Sequence, residues 1–245
     1  MAPHPTAFLT RALRVARTEI GAVAALLAAA LAVLTFAEVA DDMGEADGQA
    51  FDQAVLAAVR PHADDLARPW GPPWLKEAAA DLTSLGGISV LALFALIAVG
   101  FLLIMKKRLS ALLLVVGLAG GVALSEGLKA LFERERPPVA YQAVETLNAS
   151  FPSGHALLAT VFYLTLGVML TRAFPRKRLK VYVLGCAVVI VLLIGLTRIY
   201  LAAHWASDVF AGWSVGAAWS MVLWLVAYAA ERRQRLHGAP LRDDP

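Results

Sequence analysis

His204 and Asp208 stand four residues apart, so on a helix their side chains would meet. A carboxylate held against one imidazole nitrogen leaves the other free and correctly oriented, which is how hydrolases prepare a histidine for chemistry. Arg198 lies just upstream and carries a planar fork of donors suited to phosphate. Taken alone, the same trio could also form a proton relay in a transporter.

Two further stretches carry related chemistry. In Phe151-Pro152-Ser153-Gly154-His155, a Ser-Gly pair opens an apolar run. The free N–H groups and dipole of a helix start favour an anion there. Ser153 adds a hydroxyl donor, Gly154 allows close backbone approach, and His155 would stand beside the bound anion. The ordinary alternative is an N-cap serine followed by a boundary histidine. Upstream, Lys129 and Arg136 are seven residues apart and would share one face if the helix continues. Pro137 and Pro138 disfavour helix for the residue before them. By themselves, two such cations more often snorkel to lipid headgroups.

These groups need elements to position them, and the composition says which. Apolar residues make up 59% of the 245-residue chain and charged residues 17%, against about 45–50% and 25% in soluble domains. The apolar residues are clustered, and mean hydropathy is +0.66. A spanning helix needs about 20 mostly apolar residues, and six segments qualify: 20–40, 84–105, 109–128, 155–172, 181–200 and 208–230. The predicted fold class is all-α: an integral-membrane bundle of six transmembrane helices, read as one domain over 1–245. The net charge of +3 does not indicate nucleic acid, because no basic face is interleaved with aromatic residues. Cys186 is the single cysteine and lies inside an apolar run, so no intrachain disulfide is possible.

Lys and Arg flanking the spans set the orientation. Arg11, Arg14 and Arg17 precede the first span, and Lys106, Lys107 and Arg108 separate the second from the third. Arg172, Arg176, Lys177, Arg178 and Lys180 separate the fourth from the fifth, and Arg232, Arg233 and Arg235 follow the sixth. These are alternate connections, so both termini are expected to be cytoplasmic, with 129–153 and 198–208 facing outward. A basic start followed by an apolar run and small residues near Ala37 to Ala40 also resembles a secretory signal, although the run is long for one. The outer connection, 41–83, contains Phe51, Ala54, Val55, Ala58 and Val59 at helical spacing, ended by Pro61. Trp70-Gly-Pro-Pro-Trp74 brings two indoles to a turn, and Trp favours the headgroup level. That connection reads as amphipathic helices at the interface, lying on the bilayer or shaping a lipid entrance.

Of the five histidines, His4, His62 and His237 fall outside the spans, while His155 and His204 both sit at outer span ends. Lys129, Arg136, Arg198, Ser153, Gly154, His155, His204 and Asp208 all map to one membrane face. Three cations, anion-binding backbone, two imidazoles and one orienting carboxylate make the inventory for phosphoryl transfer to a histidine nucleophile.

The motifs resemble those of the type 2 phosphatidic acid phosphatase superfamily, whose catalytic core is similar to vanadium-dependent haloperoxidases. That family shows Lys-x6-Arg-Pro, Pro-Ser-Gly-His and Ser-Arg-x5-His-x3-Asp. Here these are Lys129 to Pro137, Pro152 to His155, and Arg198, His204 and Asp208, with Thr197 in place of the usual serine. The likeness covers roughly 84–230, the expected catalytic core. It implies that Lys129, Arg136 and Arg198, with Ser153 and the Gly154 N–H, hold the phosphate. It further implies that His204 attacks phosphorus, that Asp208 fixes its tautomer, and that His155 protonates the leaving oxygen and then activates water. No metal or cofactor is implied. The expected substrate is a lipid phosphate: a polyprenyl pyrophosphate, phosphatidylglycerol phosphate, phosphatidate, a sphingolipid phosphate or lipid A. A lipid phosphotransferase would use the same residues, and a transporter would need polar groups deeper in the spans, for which Glu126 is the one hint. Six spans disfavour a haloperoxidase. The expected location is a bacterial inner membrane, the site extracytoplasmic, with membrane lipids and the lipid-phosphate substrate as partners.

Overall fold

The computed structural model describes residues 5–144 and 148–236, with side chains over 19–144 and 148–233. His4 and His237 therefore lie outside the described residues, as do the side chains of Arg11, Arg14, Arg17 and Arg235. The described residues contain helices and turns but no strand. In chain order they are α1 (Pro5–Asp42), α2 (Ala46–Val59), α3 (Pro73–Ser84), α4 (Ile88–Ile104) and α5 (Arg108–Phe132). A short 3₁₀ turn (Val139–Tyr141) follows, then α6 (Gly154–Thr171), α7 (Lys177–Tyr200) and α8 (Ala206–Leu236).

Five stretches are long and apolar enough to cross a membrane: Glu19–Asp42 within α1, α5, α6, α7, and Ala206–Arg233 within α8. The chain is thus a multi-pass membrane protein. The second apolar run differs from the sequence expectation of a span starting at residue 84. Helix α4 has only 17 residues, about 25 Å at 1.5 Å per residue. It is preceded by α3 across a break where the axis bends by 47°. The break has a packing cause: a Cβ at Gly86 would lie 2.5 Å from Ile194 Cγ2 and 3.3 Å from the His155 carbonyl oxygen. Only glycine lets the chain pass this close to α6 and α7. The helix expected around 51–59 forms as α2, and Trp70 and Trp74 are exposed.

Helix α6 is the centre of the bundle, packed against α5, α7 and α8, while α1 lies along α8. Leu114, Leu157, Val161, Phe162 and Leu223 interlock α5, α6 and α8 in the core. At the end of the bundle where α5 stops and α6 starts, Phe36 of α1, Phe132 of α5 and Phe151 form an aromatic trio, with centroids 4.9–6.2 Å apart. Phe151 is fully buried, so this trio is the packing behind Pro152 and Ser153. Helix α8 meets α6 at Gly212, where a Cβ would be 2.6 Å from the Ser153 carbonyl oxygen.

Candidate active site

All eight residues singled out from the sequence come to one end of the bundle. A cavity of about 460 Å³ there is lined by Lys129, Arg136, Gly154, His155, Arg198 and His204, together with Ser125 and Glu126 of α5. The other two of the eight, Ser153 and Asp208, adjoin the cavity with zero exposure.

The local backbone shows how each group arrives. Helix α5 stops at Phe132 because Glu133 takes a left-handed conformation, φ 44°, and its N–H returns to the Lys129 carbonyl. The continuous helix that would have aligned Lys129 with Arg136 therefore does not exist. Arg136 instead reaches the cavity from an extended segment. Its guanidinium donates to the carbonyls of Ala203 at 2.6 Å and Asn148 at 2.5 Å. Burial lowers the Arg136 pKa from its ordinary value, with Asp208 opposing. Helix α6 begins at Gly154 with Ser153 as its N-cap residue, yet the Ser153 hydroxyl makes no capping bond. Arg198, in the last turn of α7, is 6% exposed and donates weakly to Thr83 Oγ1 at 3.3 Å.

His204 and Asp208 do not share one helix as the spacing suggested. Helix α7 ends at Tyr200, Ala202 is left-handed (φ 49°), and α8 starts at Ala206. The pair still meets because Asp208, in the first turn of α8, points back over the break. Its Oδ2 accepts the Trp205 N–H at 2.9 Å and lies 3.4 Å from His204 Nδ1. On the other ring nitrogen, Arg136 stands 3.2 Å from Nε2. A guanidinium can only donate, so Nε2 accepts there and the ring proton belongs on Nδ1, toward Asp208. Burial holds the His204 pKa down to about 4; Asp208 opposes this, and Arg136 and Arg198 reinforce it. The imidazole is therefore neutral near pH 7, with its unprotonated nitrogen toward the cavity.

Sequence reasoning missed the support behind Asp208. Arg134 donates to Asp208 Oδ1 at 2.6 Å, to Ser207 Oγ at 2.7 Å and to Asp52 Oδ2 at 2.7 Å. Asp52, on α2, is 2% exposed and also accepts the Ser207 N–H at 3.0 Å. Ser150 Oγ donates a very short bond to Asp208 Oδ2. Nearby, Arg60 at the end of α2 donates to the carbonyls of Tyr200 at 2.7 Å and Tyr141 at 2.9 Å. An arginine bridging two buried carboxylates avoids the cost of an unpaired buried charge. No spacing rule links Asp52 to Arg134 across 82 residues, and nothing local separates Arg134 from Arg136. Among the described residues, no three His, Cys, Asp or Glu side chains are grouped to hold a metal ion.

Known proteins carry the same framework. Residues 110–232 match the family model of the PAP2 superfamily. Over 148 residues, 59% of this chain and 71% of the relative, the chain is 34% identical to phosphatidylglycerophosphatase B of Bacillus subtilis (strain 168). It is 31% identical to an undecaprenyl-diphosphatase of Sulfolobus acidocaldarius over 47% of this chain and 55% of that one. The crystal structure of the first transmembrane PAP2 type phosphatidylglycerolphosphate phosphatase, from Bacillus subtilis, superposes with a TM-score of 0.74. Its identity is 27%, and the match covers 83% of this chain and 96% of that one. Aquifex aeolicus LpxE shares the fold at a TM-score of 0.55 and 21% identity, over 70% of this chain and 93% of that one. The chain belongs to the PAP2 superfamily.

Proposed function

We propose that this protein is a membrane lipid-phosphate phosphatase that forms a phosphohistidine on His204 and needs no metal ion. The observation that carries this reading is the orientation of His204: Nδ1 faces Asp208, and Nε2 faces a cavity edged by Lys129, Arg136 and Arg198. Phosphoryl oxygens take those three cations, the Gly154 N–H at the α6 start and the Ser153 hydroxyl. Arg136 shifts its NH1 bond from His204 to a phosphoryl oxygen, freeing the Nε2 lone pair. Nε2 attacks phosphorus, the bond from phosphorus to the lipid oxygen breaks, and His155 gives that oxygen its proton. His155 then takes a proton from water, whose oxygen attacks the phosphohistidine and releases inorganic phosphate.

The relatives' names support a lipid substrate, and phosphatidylglycerol phosphate is the first to try, since a phosphatidylglycerophosphatase matches over 71% of its own length. Undecaprenyl diphosphate follows. In the bilayer, we read α3 and α4 as a sixth, bent pass, with α2 and the two tryptophans at the interface. The basic links 106–108 and 172–180 lie at the helix ends opposite the site, which favours a cytoplasmic location for them and for both termini. The whole of 1–245 is then one domain, with 84–230 as its catalytic core and an extracytoplasmic site.

Purified protein in detergent should release phosphate from phosphatidylglycerol phosphate, resist chelators, and be inhibited by vanadate. Brief reaction with ³²P-labelled substrate should trap acid-labile, base-stable label on His204, and His204→Ala should remove both label and turnover. Label on His155, or activity restored to chelated protein only by a divalent ion, would overturn the mechanism. The phosphotransferase alternative predicts label passing to an added lipid acceptor in preference to water.

A further inference from the structure

Several hydroxyls within the helices of this bundle donate to a carbonyl one turn back. Thr35 bonds Leu31, Thr160 bonds Ala156 at 2.7 Å, and Ser220 bonds Gly216 at 2.7 Å. Ser125 on α5 breaks the pattern. It is 2% exposed, and its Oγ has no hydrogen-bond partner among the described residues. A buried hydroxyl left unpaired is destabilising. The i−4 carbonyl that other helix hydroxyls use is the ordinary remedy, and Ser125 does not take it.

Its position explains what the hydroxyl is kept for. Ser125 stands one turn before Lys129 on the same face of α5, and both line the cavity. A Cβ built on Gly154 would lie 3.2 Å from Ser125 Oγ and 3.6 Å from Lys129 Nζ. Hydroxyl and ammonium therefore converge on the first residue of α6, where backbone N–H groups are free to take an anion. We propose that Ser125 is a further catalytic residue, donating a hydrogen bond to a non-bridging phosphoryl oxygen held between Lys129 and the start of α6. This rests on the phosphatase reading above and adds a donor outside its motifs.

The test uses two alanine variants of full-length protein in detergent. Thr165 on α6 is the matched control, because its hydroxyl is likewise buried and without a partner but does not line this cavity. Losing a hydrogen bond to a charged oxygen is worth a factor on the order of 10–100. Ser125→Ala should therefore lower kcat/KM by that factor and raise the vanadate inhibition constant comparably. Thr165→Ala should change neither. Thermal unfolding should show no loss of stability in Ser125→Ala, since no bond in the free protein is broken. Ser125→Cys, a weak donor of similar size, should fall between. Wild-type and Ser125→Ala proteins with equal kinetics and equal vanadate inhibition would refute the proposal and leave the phosphatase reading intact. A Ser125→Ala protein with lowered activity, unchanged vanadate inhibition and reduced stability would also refute it, as a packing defect. Wild-type protein that neither hydrolyses lipid phosphates nor binds vanadate would defeat the phosphatase reading itself.

Discussion

The two sides of His204 are built on opposite rules. Behind it, Asp208 takes bonds from Arg134, Ser150 and the Trp205 N–H as well as facing Nδ1. Arg134 in turn is held by Asp52 and Ser207. In front, Ser125 Oγ, Ser153 Oγ and Arg198 Nε are buried without partners among the described residues. A saturated network rigidifies whatever it holds, whereas unpaired buried donors raise the free energy of the empty site. The back holds one imidazole in one tautomer, and on the proposed reading the front keeps its donors for phosphoryl oxygens. Catalysis by preorganised charge asks for both.

Removing the back should cost most. Asp208→Asn leaves the shape but no longer fixes the tautomer, and we expect a fall in kcat of about 10²–10⁴-fold, read from single-turnover phosphate release. Next, Asp52→Asn keeps an acceptor for the Ser207 N–H but removes the charge balancing Arg134. Here we expect a fall in kcat on the order of 10-fold with KM nearly unchanged, and a lower Tm, because half of a buried ion pair is left. A KM effect larger than the kcat effect would place Asp52 with the front, not the back.

A pH experiment sharpens the comparison further. The His204 pKa is about 4 in the folded protein and about 6.5 once unfolded. Between those values the unfolded state binds more protons, so this residue's contribution makes stability fall as pH drops from 6.5 toward 4. His204→Gln should flatten that part of the Tm-against-pH curve, and an unchanged slope would count against a buried neutral imidazole. The smallest effect belongs to the front. Glu126, largely exposed, holds Lys129 at 3.0 Å. Exposed pairs are weak, so Glu126→Gln should lower KM for a lipid phosphate by only about two- to five-fold.

The same division decides what could be read from the chain. Spans and front-side groups were legible because hydrophobic runs and short spacings are local: Lys129, Ser153, Gly154, His155 and Arg198 all sit at or beside the ends of apolar runs. Of the back, Asp208 was legible from its spacing to His204, but its support was not, because that is assembled across distance. Asp52 is one acid among several in an outer connection, and only folding distinguishes it by burying it under Arg134. The stop at Glu133 was missed for a different reason. Its left-handed backbone leaves no sequence mark of the kind that a glycine would have left. Nothing in the sequence singles out Ser125 within its apolar helix, since an absent hydrogen bond has no signature there.

The position of Asp52 also bears on how freely parts of such enzymes can be exchanged. The family match begins at residue 110, so a graft of that region alone would carry all eight motif residues and look complete. It would nevertheless leave Arg134 facing Asp208 without its second carboxylate, and Arg60 would no longer tie the end of α2 to the ends of α7 and the 139–141 turn. A chimera should therefore cross over before α2, near Gly44, so that the connection travels with the chemistry it braces. By this measure the 41–83 connection belongs with the site, and the exposed apolar surfaces of α1 and α4 are the interchangeable parts.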